Sequence, residues 1–86
     1  MPRVSEFYGI VIEMFWNDHG TPHFHAKYAE FKASIDIGTL HVLGGRLPRP
    51  QFAKVREWAS LHREELLENW ERGQMNLPLK AIEPLS

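Results

Sequence analysis

Every second residue is apolar in His23-Phe24-His25-Ala26-Lys27-Tyr28, and the same alternation returns in Lys32-Ala33-Ser34-Ile35-Asp36-Ile37. A period of two belongs to a strand with one buried face and one wet face, because successive side chains point to opposite sides. The chain must therefore build a sheet whose apolar side needs a cover. Phe7 to Trp16, rich in aromatic and β-branched residues, reads as a further strand, and the turn formers Asn17-Asp18-His19-Gly20-Thr21-Pro22 follow it. Gly38-Thr39 suits a two-residue type II′ hairpin leading into a short strand, Leu40 to Leu43. The expectation is an antiparallel β-meander of about four strands over residues 7–43.

The cover comes from the second half. Gly44 to Pro50 is a breaker segment, and Pro50 suits a first helical position, where its missing N–H is not needed. Phe52, Val55, Ala59, His62, Leu66 and Trp70 then recur at three- and four-residue steps, predicting a helix over 50–72 with Gly73 as its stop. Such a helix would run roughly 34 Å, longer than the strands it covers, so a kink or split near Leu61 to Arg63 is expected. Residues 74–86 read as a tail folding back along an edge or groove. The fold class is α+β, in a single domain over 1–86, since 86 residues leave no room for a second core.

Composition excludes several chemistries. Cysteine is absent, so disulfides, thiol nucleophiles and Cys-based zinc or iron–sulfur sites are ruled out, and the five histidines are the soft-metal ligands that remain. A formal charge of −1 restricts nucleic-acid binding to a local patch. The run from Phe7 to Trp16 is too short to span a bilayer and lacks signal-peptide flanks, so no membrane partner and a cytoplasmic location are expected. A chain this small gains from a partner, which favours a homo-oligomer.

Because a one-residue slip turns a strand inside out, neighbouring strands must share their apolar faces. Setting Trp16, Met14 and Ile12 against Phe24, Ala26 and Tyr28 pairs Lys27 with Glu13. Setting those same three β residues against Ile37, Ile35 and Ala33 puts His25 opposite Asp36, and the next hairpin puts Asp36 opposite His41. The outer face then carries a row of His25, Asp36 and His41, with His23 one step along. Asp36 would orient a histidine serving as general acid or base. Alternatively His-x-His joins a third ligand, His19, Asp18, His41 or Asp36, around a divalent metal such as Zn²⁺. Solvent alone also selects polar residues on such a face, and His62, on the apolar helix stripe, reads as a packed histidine. Arg46 and Arg49, in the glycine loop before the helix, are the candidate phosphate holders, although neither a Walker nor a Rossmann glycine pattern is present.

Asp18-His19-x-x-Pro22-His23-Phe24-His25-Ala26, Gly45-Arg46-Leu47-Pro48, Trp58-x-x-x-His62-x-x-Glu65-Leu66-x-x-Asn69-Trp70 and Ile82-Glu83-Pro84-Leu85 together resemble a family of short bacterial proteins, domain of unknown function DUF4160. The likeness spans nearly the whole chain and carries no activity with it. It implies a cognate small partner protein in a toxin–antitoxin-like pair, and RNA as a target. The leading expectation is thus a toxin–antitoxin-like component acting on or binding RNA, with His25, Asp36 and His41 as the catalytic group and Arg46, Arg49 and Lys27 holding substrate. Two alternatives stand beside it. One is a non-enzymatic interaction module for the cognate protein. The other is a divalent-metal-binding protein using His23, His25, His19 and Asp18.

Overall fold

The computed structural model describes residues 2–86. Five strands, β1 (Arg3–Phe7), β2 (Ile10–Glu13), β3 (His23–Tyr28), β4 (Phe31–Asp36) and β5 (Val42–Arg46), precede two helices, α1 (Arg49–Leu61) and α2 (Arg63–Gln74). The strands form one antiparallel sheet in the order β1-β2-β3-β4-β5, a meander. The architecture is the expected α+β, with one strand more than the expected four. The extra strand arises because the run from Phe7 to Trp16 does not stay extended. Tyr8 and Gly9 take positive φ values of 52° and 77°, making a tight hairpin between Arg3–Phe7 and Ile10–Glu13.

Alternation in β3 and β4 assigns the faces as expected. Phe24, Ala26, Ala33 and Ile35 are buried, and with Ile10 and Ile12 they form the floor of the core. Helix α1 supplies Val55, Trp58 and Ala59 as its cover, α2 supplies Leu66, and the tail supplies Ile82. Trp58 is fully buried, its ring 5.3 Å from Phe7 and 5.9 Å from Phe24. The helix splits at His62, inside the stretch where a break is expected. His62 has φ −125° and separates α1 from α2, and its Nδ1 lies 2.5 Å from Glu65 Oε1. Its ring also lies 5.6 Å from that of Trp58. Among the described residues no helix is long and apolar enough to cross a membrane.

The tail folds back as expected, and specific bonds hold it. Ile82 N–H donates to the Val4 carbonyl at 2.8 Å, partly covering the free edge of β1. Trp58 Nε1 donates to the Glu83 carbonyl at 2.8 Å. Buried Asn69 uses both ends of its amide on one tail residue, donating to the Lys80 carbonyl and accepting from the Lys80 N–H, each at 2.8 Å. Asn69→Leu keeps the volume but strands both groups, and should cost about 2 kcal/mol. A fall in the urea midpoint at unchanged slope would register it, whereas an unchanged midpoint would show the tail to be held by apolar contacts alone.

Two register details differ from expectation. The β2–β3 pairing sets Ile12 opposite Ala26 and Glu13 opposite His25, and β3–β4 sets His25 opposite Ser34 and His23 opposite Asp36. Each pairing is slipped by two residues from the expected one. A slip of two keeps every side chain on its face, so apolar parity does not oppose it. For β3–β4 the cause lies in the connecting turn, whose central pair is Ala29-Glu30 and not Glu30-Phe31, with Ala29 at φ 51°.

The second difference follows β4. In place of a two-residue turn at Gly38-Thr39, four residues lie between Asp36 and His41, whose main chains meet through Asp36 N–H donating to the His41 carbonyl at 2.9 Å. Leu40 adopts φ 63° so that its side chain reaches the core. The expected strand over Leu40 to Leu43 thereby moves to Val42–Arg46 and absorbs the two glycines. Gly45 has φ 72°, and a Cβ there would sit 2.1 Å from the Lys32 carbonyl oxygen, so only glycine lets β5 approach β4 this closely.

Candidate metal centre

The loop from β2 to β3 returns over the sheet end and brings one carboxylate to two strand histidines. His23 and His25 alternate onto the outer face of β3, their rings 5.0 Å apart. Asp18 Oδ1 accepts the N–H of His19 at 2.9 Å, a short local bond that fixes the carboxylate's orientation. The other oxygen, Oδ2, lies 3.0 Å from His23 Nε2 and 3.2 Å from His25 Nε2. One ligand atom from each of Asp18, His23 and His25 falls within 4.8 Å of the others.

The loop carrying Asp18 is pinned from behind by the end of α2. Asn17 N–H donates to the Gly73 carbonyl at 3.1 Å, Gln74 Nε2 to the Asp18 carbonyl at 3.1 Å, and Trp16 Nε1 to the Leu77 carbonyl at 2.8 Å. Trp70 leans on the ring of His23, centroids 5.1 Å apart, and Phe15 meets His25 edge-on at 4.8 Å. With these walls the His23 side chain is 11% exposed, while His25 remains 28% open to solvent.

The hydrogen bond behind the His23 ring fixes which of its nitrogens holds a proton. His23 Nδ1 is 2.7 Å from the Thr21 carbonyl, which can only accept, so Nδ1 carries a proton. In the neutral ring Nε2 is then a bare lone pair aimed at a carboxylate oxygen 3.0 Å away. Two acceptors face each other unless a proton or a cation lies between them. His25 is backed by the Ser34 hydroxyl, 3.3 Å from its Nδ1. Rings oriented through Nδ1 by a carbonyl or hydroxyl, with Nε2 directed inward, are the arrangement that metal-ligating histidines use. Burial pushes the Asp18 carboxyl up, but the hydrogen bond from His25, the N–H of His19 and the charges of His23 and His25 outweigh it. Asp18 therefore lies below the ordinary Asp value and is ionised at neutral pH.

The other expected site residues lie elsewhere. The row of His25, Asp36 and His41 does not form, because the two-residue slip puts Ser34 opposite His25. Asp36 is occupied locally: Oδ1 accepts the Thr39 N–H at 2.8 Å and Oδ2 accepts from the Thr21 hydroxyl at 3.3 Å. The ring of the exposed His41 meets no hydrogen-bond partner among the described residues, and its backbone N–H donates to Thr39 Oγ1 at 3.2 Å. His19 contributes its backbone to Asp18 and its side chain is outside the three-residue cluster. Lys27 Nζ sits 3.7 Å from the buried carboxylate of Glu13, a cross-strand pairing of the expected residues on the slipped register. Arg46 stacks over Phe31 at 5.0 Å, and Arg49 opens α1 on the exposed side. Trp70 as a wall of the site carries no sequence signal of its own, since its spacing matches a core position.

Asp36 makes a pH prediction. The Thr39 N–H, and after it the Gly38 N–H and the Thr21 and Thr39 hydroxyls, hold its carboxyl below the ordinary value despite some desolvation. A depressed folded pKa means that the support given to the 37–40 loop is complete above the unfolded value of about 3.9 and is lost as pH falls through the folded value. The Thr39 amide resonance should titrate with a midpoint under about 3.9, and Asp36→Asn, which still accepts from Thr39, should abolish that titration without freeing the loop.

A family model described as a domain of unknown function, DUF4160, matches residues 9–71. The chain belongs to the DUF4160 family. That match contains all three converging residues and both of the strands behind them, β3 and β4. No curated protein and no solved structure matches this DUF4160 chain.

Proposed function

We propose that this DUF4160 protein binds a divalent first-row transition metal through Asp18 Oδ2, His23 Nε2 and His25 Nε2, leaving coordination positions open for a small ligand. The observation that carries this reading is the His23 ring. Its Nδ1 proton is committed to a carbonyl, so in the neutral ring the remaining lone pair is aimed at the Asp18 carboxylate. Ligand atoms of a tetrahedral zinc site with bonds of about 2.0–2.1 Å are themselves roughly 3.3 Å apart, close to the 3.0 and 3.2 Å separations seen here.

Two imidazoles and one carboxylate form a borderline donor set, suited to Zn²⁺, Fe²⁺ or Co²⁺ and poorly suited to Mg²⁺ or Ca²⁺. Three protein ligands fall short of a closed structural site and match the open kind, in which the ion lowers the pKa of a bound water to about 7. The half-exposed side of His25 is where that water would be reached. Phe15 and Trp70 limit solvent on the other sides and hold the rings in place.

Titrating untagged, chelator-treated protein with Zn²⁺ in a calorimeter should give one ion per chain, and Co²⁺ in its place should give the visible absorption of a low-symmetry N₂O site. Absence of binding at micromolar Zn²⁺ would refute the reading.

A further inference from the structure

The outer face beside the triad holds a groove of about 590 Å³ lined by residues that include Glu13, Phe15, His25, Lys27, Lys32 and Gly45. His25 is among its lining residues, so the groove adjoins the proposed centre. Along β3, Lys27 follows His25 by two residues, about 6.6 Å on the same face. Across the sheet Lys27 pairs with Lys32 and Lys32 with Arg46, a row of three cations over three adjacent strands, about 10 Å from end to end. The only carboxylate among the groove-lining residues, Glu13, is buried and faces Lys27. On a chain whose formal charge is −1, this is a concentrated positive strip.

Like charges directly opposite each other on a sheet oppose folding. Lys27 opposite Lys32, and Lys32 opposite Arg46, are therefore placed against local stability. Among the described residues neither Lys32 nor Arg46 has a carboxylate partner, and both are exposed. The guanidinium of Arg46 is braced over Phe31, 5.0 Å from the ring centroid, and Arg46 follows the groove-lining Gly45 in sequence. The glycines of β5 leave the floor bare beside these heads, and Gly45 admits no side chain.

Resting on the metal reading above, we infer that this groove takes a phosphate ester, one phosphoryl oxygen on the open side of the ion and the remaining negative charge on Lys32, Arg46 and Lys27. A phosphoryl group suits the strip because it offers several strong acceptors to ammonium and guanidinium donors at once. The ester comes either from a nucleic-acid backbone or from a small phosphorylated molecule, and the experiment separates these.

Binding is measured by calorimetry and fluorescence anisotropy with inorganic phosphate, a nucleoside monophosphate, and labelled single-stranded RNA and DNA oligomers, each against Zn²⁺-loaded and metal-free protein. Malonate serves as a non-phosphate dianion. Loaded wild type should bind the phosphate probes at least tenfold more tightly than malonate, and Lys32→Gln with Arg46→Gln should weaken binding tenfold or more while leaving Zn²⁺ stoichiometry and near-ultraviolet dichroism unchanged. Affinity that rises with oligomer length, with a salt slope reduced by about two in the double variant, assigns the ester to a nucleic acid. Equal affinity for the monophosphate and the oligomers assigns it to a small molecule. Zn²⁺ uptake with no phosphate binding, or binding indifferent to the double variant, overturns the inference while the metal centre stands. Phosphate binding that depends on Lys32 and Arg46 in protein that takes up no Zn²⁺ overturns the metal reading, and with it the ion's share of this inference.

Discussion

Asp18→Asn should lower Zn²⁺ affinity by more than about 100-fold, since even the residues that orient metal ligands cost 10–100-fold when removed and this change removes a ligand. The fold should survive. An Asn side chain here can still pair with the Nε2 atoms of His23 and His25, donating through its nitrogen to a bare Nε2 or accepting through its oxygen from a protonated one. The two effects are separable in one thermal experiment. At a free Zn²⁺ concentration near one hundred times Kd, binding stabilises wild type by about 2.7 kcal/mol, which in a domain of this size raises Tm by about 10–20 °C. The variant should melt near the metal-free wild type and ignore the ion. A variant that still shows the wild-type shift would mean the ion is held elsewhere. Ser34→Ala removes the hydroxyl behind His25 Nδ1 and should give a smaller loss, about tenfold.

Trp58→Ala should bring the protein to the edge of unfolding. The ring is fully buried between Phe7 on the sheet, Phe24 beneath and His62 at the helix break, and its Nε1 anchors the tail through Glu83. Truncating a buried aromatic to alanine costs about 3–5 kcal/mol. A domain of 86 residues has a total stability of only about 4–13 kcal/mol. A drop in Tm of more than about 12 °C follows, with loss of near-ultraviolet dichroism at 37 °C. Trp58→Phe retains most of the buried area and loses the bond to Glu83, so its cost should stay near 1–2 kcal/mol. Equal melting of Trp58→Ala and wild type would mean that the helices do not depend on this contact.

The faces of the sheet were legible from two-residue periodicity alone, and so was the exposure of His23, His25, Lys27 and Asp36 on the same side. The exact pairing was not. Burial penalises odd slips and is blind to even ones, so Ala29-Glu30 and Glu30-Phe31 were equally acceptable turns until Ala29 took its left-handed conformation. That single turn removes Asp36 from His25 and gives it Ser34. The conformation of Leu40 acts in the same way on the next strand, because a buried leucine in a loop outweighs the turn preference of Gly38-Thr39. Asp18 was visible as a candidate because it precedes His-x-His by a loop short enough to fold back over the strand. Its selection over His19 depends on a hydrogen bond one residue long, which no periodicity reveals.

The three donor atoms come from the first 25 residues, yet the segment bearing Asp18 is moored to Gly73, Gln74 and Leu77, far along the chain. On the proposed metal reading, ion affinity and the seating of the C-terminal helix are therefore two readings of one equilibrium. By reciprocity, an ion that draws Asp18 toward the imidazoles must slow the fraying of α2 by the same free energy that a docked α2 lends to its capture. Amide exchange in the last turns of that helix thus becomes a remote gauge of whether the centre is loaded.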